Sequence, residues 1–157
     1  MLNTIASYHA HIYFDQSSRA AAETVRTQIG EHFSVRLGRW HEVPVGPHPQ
    51  AMYQIAFLPA LFSTLVPWLM LNRRGLTILV HPNTGAPKAD HLINPIWFGE
   101  VLTMNAASLP ETENVSHMET EPNTTPTVDM ITRHDHTTSS HGLITPIGLI
   151  AWSDDMA

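Results

Sequence analysis

The chain has 157 residues, a net charge of −6 and a hydrophobic content of 43%, which suits one domain that buries a core without staples. It has no cysteine, so disulfides, thiolate metal sites and cysteine nucleophiles are excluded, and any metal must be held by nitrogen and oxygen. No basic patch points to nucleic acid, and the longest apolar stretch, 55–71, is broken by Pro59, Ser63 and Pro67 and does not read as a membrane span.

Residues 5–14 read as a first strand. Within it, Tyr8-His9-Ala10-His11-Ile12-Tyr13-Phe14 sets two histidines one residue apart in apolar surroundings. Side chains of a strand alternate faces, so His9 and His11 point the same way, about 6–7 Å apart, and can converge on one ion. Strand interiors seldom carry two such polar groups unless something binds them. Asp15, Ser17 and Ser18 then offer helix N-caps, and Ala21, Ala22, Val25 and Ile29 recur at helical spacing towards a stop at Gly30. Residues 33–41 alternate as a second strand, and Pro44, Gly46, Pro47 and Pro49 mark a loop. Residues 52–58 form a third strand with Tyr53, Ile55 and Phe57 on one face. An apolar helix starts at Pro59 and runs towards Asn72, with a kink or restart expected at Pro67. After Gly75, residues 76–80 are a fourth strand that ends at His81-Pro82.

Strand, helix, strand, strand, helix, strand is the order of a ferredoxin-like βαββαβ sandwich, an α+β fold. It implies a sheet order of 4-1-3-2, antiparallel throughout, with both helices on one face. Ala10, Ile12 and Phe14 then pack on the helices, and His9, His11 and Tyr13 occupy the open face. His81 falls beside His9, and His48 reaches the same rim from its loop. An open face of this kind is commonly covered by a second subunit, so a homodimer packing through it is expected.

The same segments, YHAHIYF (8–14), VGPHP (45–49), PWLMLNR (67–73), LTILVHPNTG (76–85) and DH (90–91) followed by Trp97-Phe98-Gly99, resemble the DOPA 4,5-dioxygenase family of the fungal and bacterial type. The matches lie in order across nearly all of residues 5–103. The resemblance implies a ferredoxin-like dimer that cleaves a catechol ring in extradiol fashion with non-haem Fe(II) and O2. The alternatives are a metal-dependent enzyme of the same fold acting on a non-catechol substrate, or a non-catalytic ferredoxin-like ligand-binding domain. The latter would need no clustered histidines.

For a site of that kind, His9, His11 and His81 are the expected metal ligands, with His48 close by. A histidine left off the metal would serve as acid and base, and His48 and His9 are the candidates for it. A third ligand could be a carboxylate, for which Asp15, Glu42, Asp90 and Glu100 are available, although Asp15 reads better as a helix cap. Tyr13, Arg36 and His91 are the expected substrate-side residues, Arg36 for a substrate carboxylate. Tyr53 and the tryptophans Trp40, Trp68 and Trp97 read as packing.

The domain is expected to occupy 1–103. That part carries seven Lys/Arg against six Asp/Glu, whereas 104–157 carries one against eight. Residues 104–142, acidic and rich in Thr and His, read as a disordered extension whose His134, His136 and His141 are solvated. Residues 143–157 are an apolar segment of open packing. The first 20 residues lack the pattern of a signal peptide, so the expected location is cytoplasmic.

Overall fold

The computed structural model describes residues 4–114 and 120–128. Strand β1 (Ser7–Tyr13) is followed by helix α1 (Arg19–His32), β2 (Arg36–His41) and β3 (Met52–Phe57). A 3-10 turn, Pro59–Leu61, leads into α2 (Phe62–Asn72), and then come β4 (Thr77–Asn83), a short α3 (Pro87–Leu92) and β5 (Ile96–Phe98). The sheet order is β2-β3-β1-β4-β5, antiparallel at every pairing. This is the expected four-strand order with one strand added outside β4. The architecture is α+β, an open five-stranded sheet with α1 and α2 packed on one face.

Strand parity builds the core. Ala10, Ile12 and Phe14 of β1, Tyr53, Ile55 and Phe57 of β3, and Ile78 and Val80 of β4 pack on Ala22, Val25 and Ile29 of α1 and Leu65, Val66 and Leu69 of α2. Ile12, Ile29, Ile55, Leu65 and Leu69 are fully buried, each worth about 1.5–3 kcal/mol of burial. Tyr53 belongs to this core, its hydroxyl donating to the Ala22 carbonyl at 3.2 Å.

Two punctuation signals act differently from expectation. Helix α1 runs past Gly30 to His32. A Cβ at Gly30 would meet the Thr124 methyl at 3.4 Å, an ordinary contact, so the glycine simply sits within the last turn and does not stop the helix. Helix α2 passes through Pro67 without a restart. Asp15 is structural but does not cap the helix, whose N-cap is Ser18 without a side-chain bond: its Oδ1 accepts from the Ser18 N–H at 2.8 Å and the Ser17 hydroxyl at 2.7 Å, fixing the turn before α1. Gly75, with φ of +81°, closes the turn into β4.

The open face of the sheet divides into two ends. At one, Tyr13, Met52 and Leu79 form a second apolar cluster covered by Trp97, Leu102 and Met104 of the same chain. At the other lie the histidines. Residues 120–128 run along the outer edge of β2. The Asn123 N–H donates to the Val35 carbonyl at 3.0 Å, and its side chain accepts from the Leu37 N–H at 2.7 Å and donates to the Leu37 carbonyl at 3.0 Å. The Thr124 hydroxyl bonds the Val35 N–H at 2.8 Å. Residues 33–35, expected in the second strand, thus pair with this segment, and β2 proper starts at Arg36. Of the expected extension, 104–114 and 120–128 lie against the body in this way. His134, His136, His141 and the 143–157 segment fall outside the described residues. Among the described residues no helix is long and apolar enough to cross a membrane.

Candidate metal centre

Four strands deliver one row across the open face. His81 of β4 pairs with His9 of β1, His9 with Ala56 of β3, and Ala56 with Arg36 of β2. His11 stands two residues along β1 on the same face. His48 enters from the loop before β3, where its N–H donates to the Val45 carbonyl at 3.0 Å across a turn made by Gly46 and Pro47. His91 comes from α3, in the stretch where the sequence showed only a Asp-His pair.

These five imidazoles form one cluster. The ring centroids of His11 and His48 are 4.0 Å apart, those of His81 and His91 3.8 Å, and those of His9 and His81 5.3 Å. Ligand nitrogens lie within 4.8 Å of one another in two overlapping sets, His9–His11–His81 and His11–His48–His91, either of which could hold a metal ion.

The hydrogen bonds decide which nitrogens are available. His81 Nδ1 is 2.8 Å from the Pro82 carbonyl and His91 Nδ1 2.8 Å from the Pro87 carbonyl. A carbonyl only accepts, so both Nδ1 atoms carry the proton and both Nε2 atoms present lone pairs. His11 Nε2 lies 3.1 Å from His81 Nε2, while His11 Nδ1 is buried with no partner. Two nitrogens bound about 2.1 Å from one ion at right angles stand about 3 Å apart, so this pair has the spacing a metal requires. The Tyr13 hydroxyl, which donates weakly to Met104 Sδ at 3.7 Å, lies 2.8 Å from His48 Nδ1.

Electrostatics favours neutral ligands. Burial, with positive charge on His91 adding to it, pulls His9 down to about 4. Burial and the neighbouring histidines pull His48 down to about 3, and His11 and His81 lie well below the usual range for the same reasons. His91 is lowered by burial against the opposing pull of the Pro87 carbonyl, Asp90 and Glu113. Unprotonated imidazole is the ligand form.

No carboxylate joins either set among the described residues. Asp15 is held by Ser17 and Ser18, and Glu42 pairs with Arg19. Asp90 is buried, its two oxygens accepting from the Thr84 N–H at 2.8 Å and the Thr84 hydroxyl at 2.7 Å, so it pins the HPNTG loop. Glu100 is exposed beyond β5.

A cavity of about 630 Å³ opens beside the cluster. His9 and His91 stand on its wall; His11, His48 and His81 lie behind them. Ala56 and Gly38 keep its floor low, and Arg36 and Arg39 line its far side. Arg36, expected as a substrate-side residue, lines this cavity, its guanidinium donating to the Glu121 carbonyl at 3.3 Å. Tyr13 is not on this wall. It is buried behind His48 and stacked on Trp97 at 5.9 Å between centroids, and burial pushes its phenol up.

Several wall residues, among them Arg39, Gln54 and Glu113, went unnoticed in the sequence. Gln54, the polar interruption of the apolar run Met52–Phe57, could have been found by that signal. Glu113, also on the wall, sits in a polar stretch without periodicity and offered none.

Comparison with known proteins places residues 8–108, a span holding all five clustered histidines, in a match to the Dopa 4,5-dioxygenase family. A DOPA 4,5-dioxygenase of Amanita muscaria is 36% identical over 115 residues, covering 68% of this chain and 50% of that protein. An uncharacterised 21.2 kDa protein of Botryotinia fuckeliana is 37% identical over 111 residues, covering 63% of this chain. The chain spans 61% of that protein's length, so it matches only part of each of these curated relatives. The crystal structure of a protein from Nostoc punctiforme PCC 73102, proposed to be a dioxygenase, is 54% identical with a TM-score of 0.65 over 66% of this chain and 90% of that one.

Proposed function

The chain belongs to the Dopa 4,5-dioxygenase family, and on that premise we propose that it is an extradiol ring-cleaving dioxygenase acting on a catechol such as DOPA with non-haem Fe(II) and O2. The observation that carries this reading is the His11–His81 nitrogen pair, 3.1 Å apart, with His9 beside it on the wall of a cavity large enough for an aromatic ligand. A buried nitrogen without a partner on His11 fits a centre that expects an ion.

In this reading His9, His11 and His81 hold the iron. Fe(II), when held there, would supply the redox chemistry that joins a catechol to dioxygen, so that the ring carbon–carbon bond beside the diol breaks and both oxygen atoms enter the product. The chain's own residues do the rest. His91, its Nδ1 tied to the Pro87 carbonyl, turns Nε2 to accept a catechol proton and return it. His91 takes this role in place of His48, which stands off the cavity wall with its Nδ1 on Tyr13. His48 instead packs on His11 and fixes the plane of that ring. Arg36 receives a substrate carboxylate. Two strand spacings, about 9–10 Å, separate its backbone from that of His9, and Ala56 between them leaves room for a ring and a short side chain.

The test is direct. Full-length protein is loaded with Fe(II) under nitrogen, mixed with DOPA, and exposed to air. A yellow product and one O2 consumed per catechol are expected. Folded, iron-loaded protein that stays colourless and consumes no oxygen would refute the assignment.

A further inference from the structure

The cavity wall carries charge of both signs, and one of its two carboxylates, Glu113, comes from outside the family match. The match ends at residue 108; the chain then turns back over the site. Leu109 is buried, the Lys88 N–H donates to the Pro110 carbonyl at 3.2 Å, and the Glu113 N–H donates to the Gly85 carbonyl at 2.9 Å. A salt bridge between Lys88 and Glu111 adds a third tie. The segment is thus fastened to α3 and the HPNTG loop, and it sets the Glu113 side chain on the cavity wall with His9, His91, Arg36 and Arg39.

Two carboxylates face this cavity, and they differ. Asp90 has both oxygens engaged by Thr84 and is buried. Glu113 is exposed to the cavity, and no hydrogen bond among the described residues engages its carboxylate oxygens. It also stands outside both histidine sets that could hold a metal ion.

We propose that Glu113 is a specificity-determining residue: it receives an ammonium group on the substrate and so favours catechols that carry an amine. The proposal rests on the catechol reading above and deepens it. With the diol at the histidines and an anionic group at Arg36, the carboxylate of Glu113 provides a place for a positive group on the same cavity wall. A substrate lacking the amine would leave a carboxylate facing it with no partner and would gain nothing from it. Glu113 also has a second way to act, through the charge it places near His91. That route would change every catechol alike, which separates the two.

The experiment reads binding, not turnover. The full chain is loaded with redox-inert Zn(II) and titrated calorimetrically under nitrogen with DOPA and with 3-(3,4-dihydroxyphenyl)propanoate, which differ only in the amine. An exposed charge-assisted contact predicts that the wild type prefers DOPA by about five-fold in Kd. In Glu113→Gln the Kd for DOPA rises about five-fold and that for the propanoate stays within about two-fold, so the preference disappears. Glu113→Asp, which keeps the charge, retains most of it. Equal binding of both catechols by the wild type, or equal weakening of both by Glu113→Gln, overturns the proposal. Since no oxygen is present, failed ring cleavage would leave a measured preference standing, and equal binding would sink the role of Glu113 while cleavage stood.

Discussion

The two ends of the open sheet face are built on the same strands and came out opposite. At one end Tyr13, Met52 and Leu79 are sealed beneath Trp97, Leu102 and Met104. Two residues back along β1, His11 and His9 stand beside His81 at the edge of a cavity. Strand parity put all of these side chains on one face; what differs is the cover. An apolar end can be closed by the chain's own 102–104 segment, because burying it is favourable. Five imidazoles cannot be closed over so cheaply, since each ring carries two nitrogens that need a proton partner or a cation. The lesson is that a sheet face is a set of opportunities, and the segments that return across it decide which part is core and which part is site.

The most forceful way to break this comparison is to remove the ring that both metal sets share. His11→Ala is expected to lose bound iron while the fold survives, because the helix-side core does not involve His11. Losing a partner behind a ligand already weakens metal binding by about 10–100-fold, so losing the ligand should cost at least that much. Metal analysis and circular dichroism on the purified variant check the two halves. Unchanged iron content would show that His11 is no ligand, and ring cleavage should fall with the iron.

A smaller effect should appear with pH, and it too should belong to one end only. His9 titrates near 4 and His48 near 3 in the folded chain, against about 6.5 in the unfolded one. Their folded pKa values are depressed, so the unfolded chain binds more protons between those limits, and stability falls as pH drops from 6.5 towards 4. Each such histidine contributes a slope of up to about 1.4 kcal/mol per pH unit in that window. The sealed end has no group that titrates there, as burial pushes the Tyr13 phenol further from neutrality. Metal-free protein should therefore melt progressively lower from pH 7.5 to 5, and His11→Ala should flatten the dependence. Identical slopes for both proteins would place the sensitivity elsewhere.

How much of this was legible follows the same division. His9, His11 and His81 could be read because a period of two fixes faces, and the antiparallel order then fixes neighbours. The core of β1, β3 and β4 was legible for that reason as well. His91 was harder. Helix α3 has six residues and β5 three, too short for any periodicity to emerge, so the sequence offered only a pair of polar residues after a Gly-Pro turn. Gly30 misled because glycine often marks a helix end yet is also tolerated inside one, and the local pattern does not separate the two cases. Glu113 was invisible in principle: backbone bonds to Gly85 and Lys88 place it, and a backbone bond leaves no trace in side-chain pattern.

The seam between the two ends gives the finest test. Tyr13 belongs to the sealed cluster, yet its hydroxyl reaches His48 at 2.8 Å, and His48 packs on His11. Tyr13→Phe keeps the ring and its stacking on Trp97 but removes that hydroxyl, leaving His48 Nδ1 without its partner. One buried neutral hydrogen bond contributes about 1 kcal/mol, and the orphaned nitrogen adds a similar cost, so a loss of about 1–2 kcal/mol of stability is expected. If His48 steadies His11, iron affinity should also fall, by about ten-fold, the lower part of the range for partners behind a ligand. Chemical denaturation and competition with a chelator measure these separately. A variant that loses stability but holds iron as tightly as the wild type would make the seam a matter of packing alone, and the two ends would then be independent despite sharing a strand.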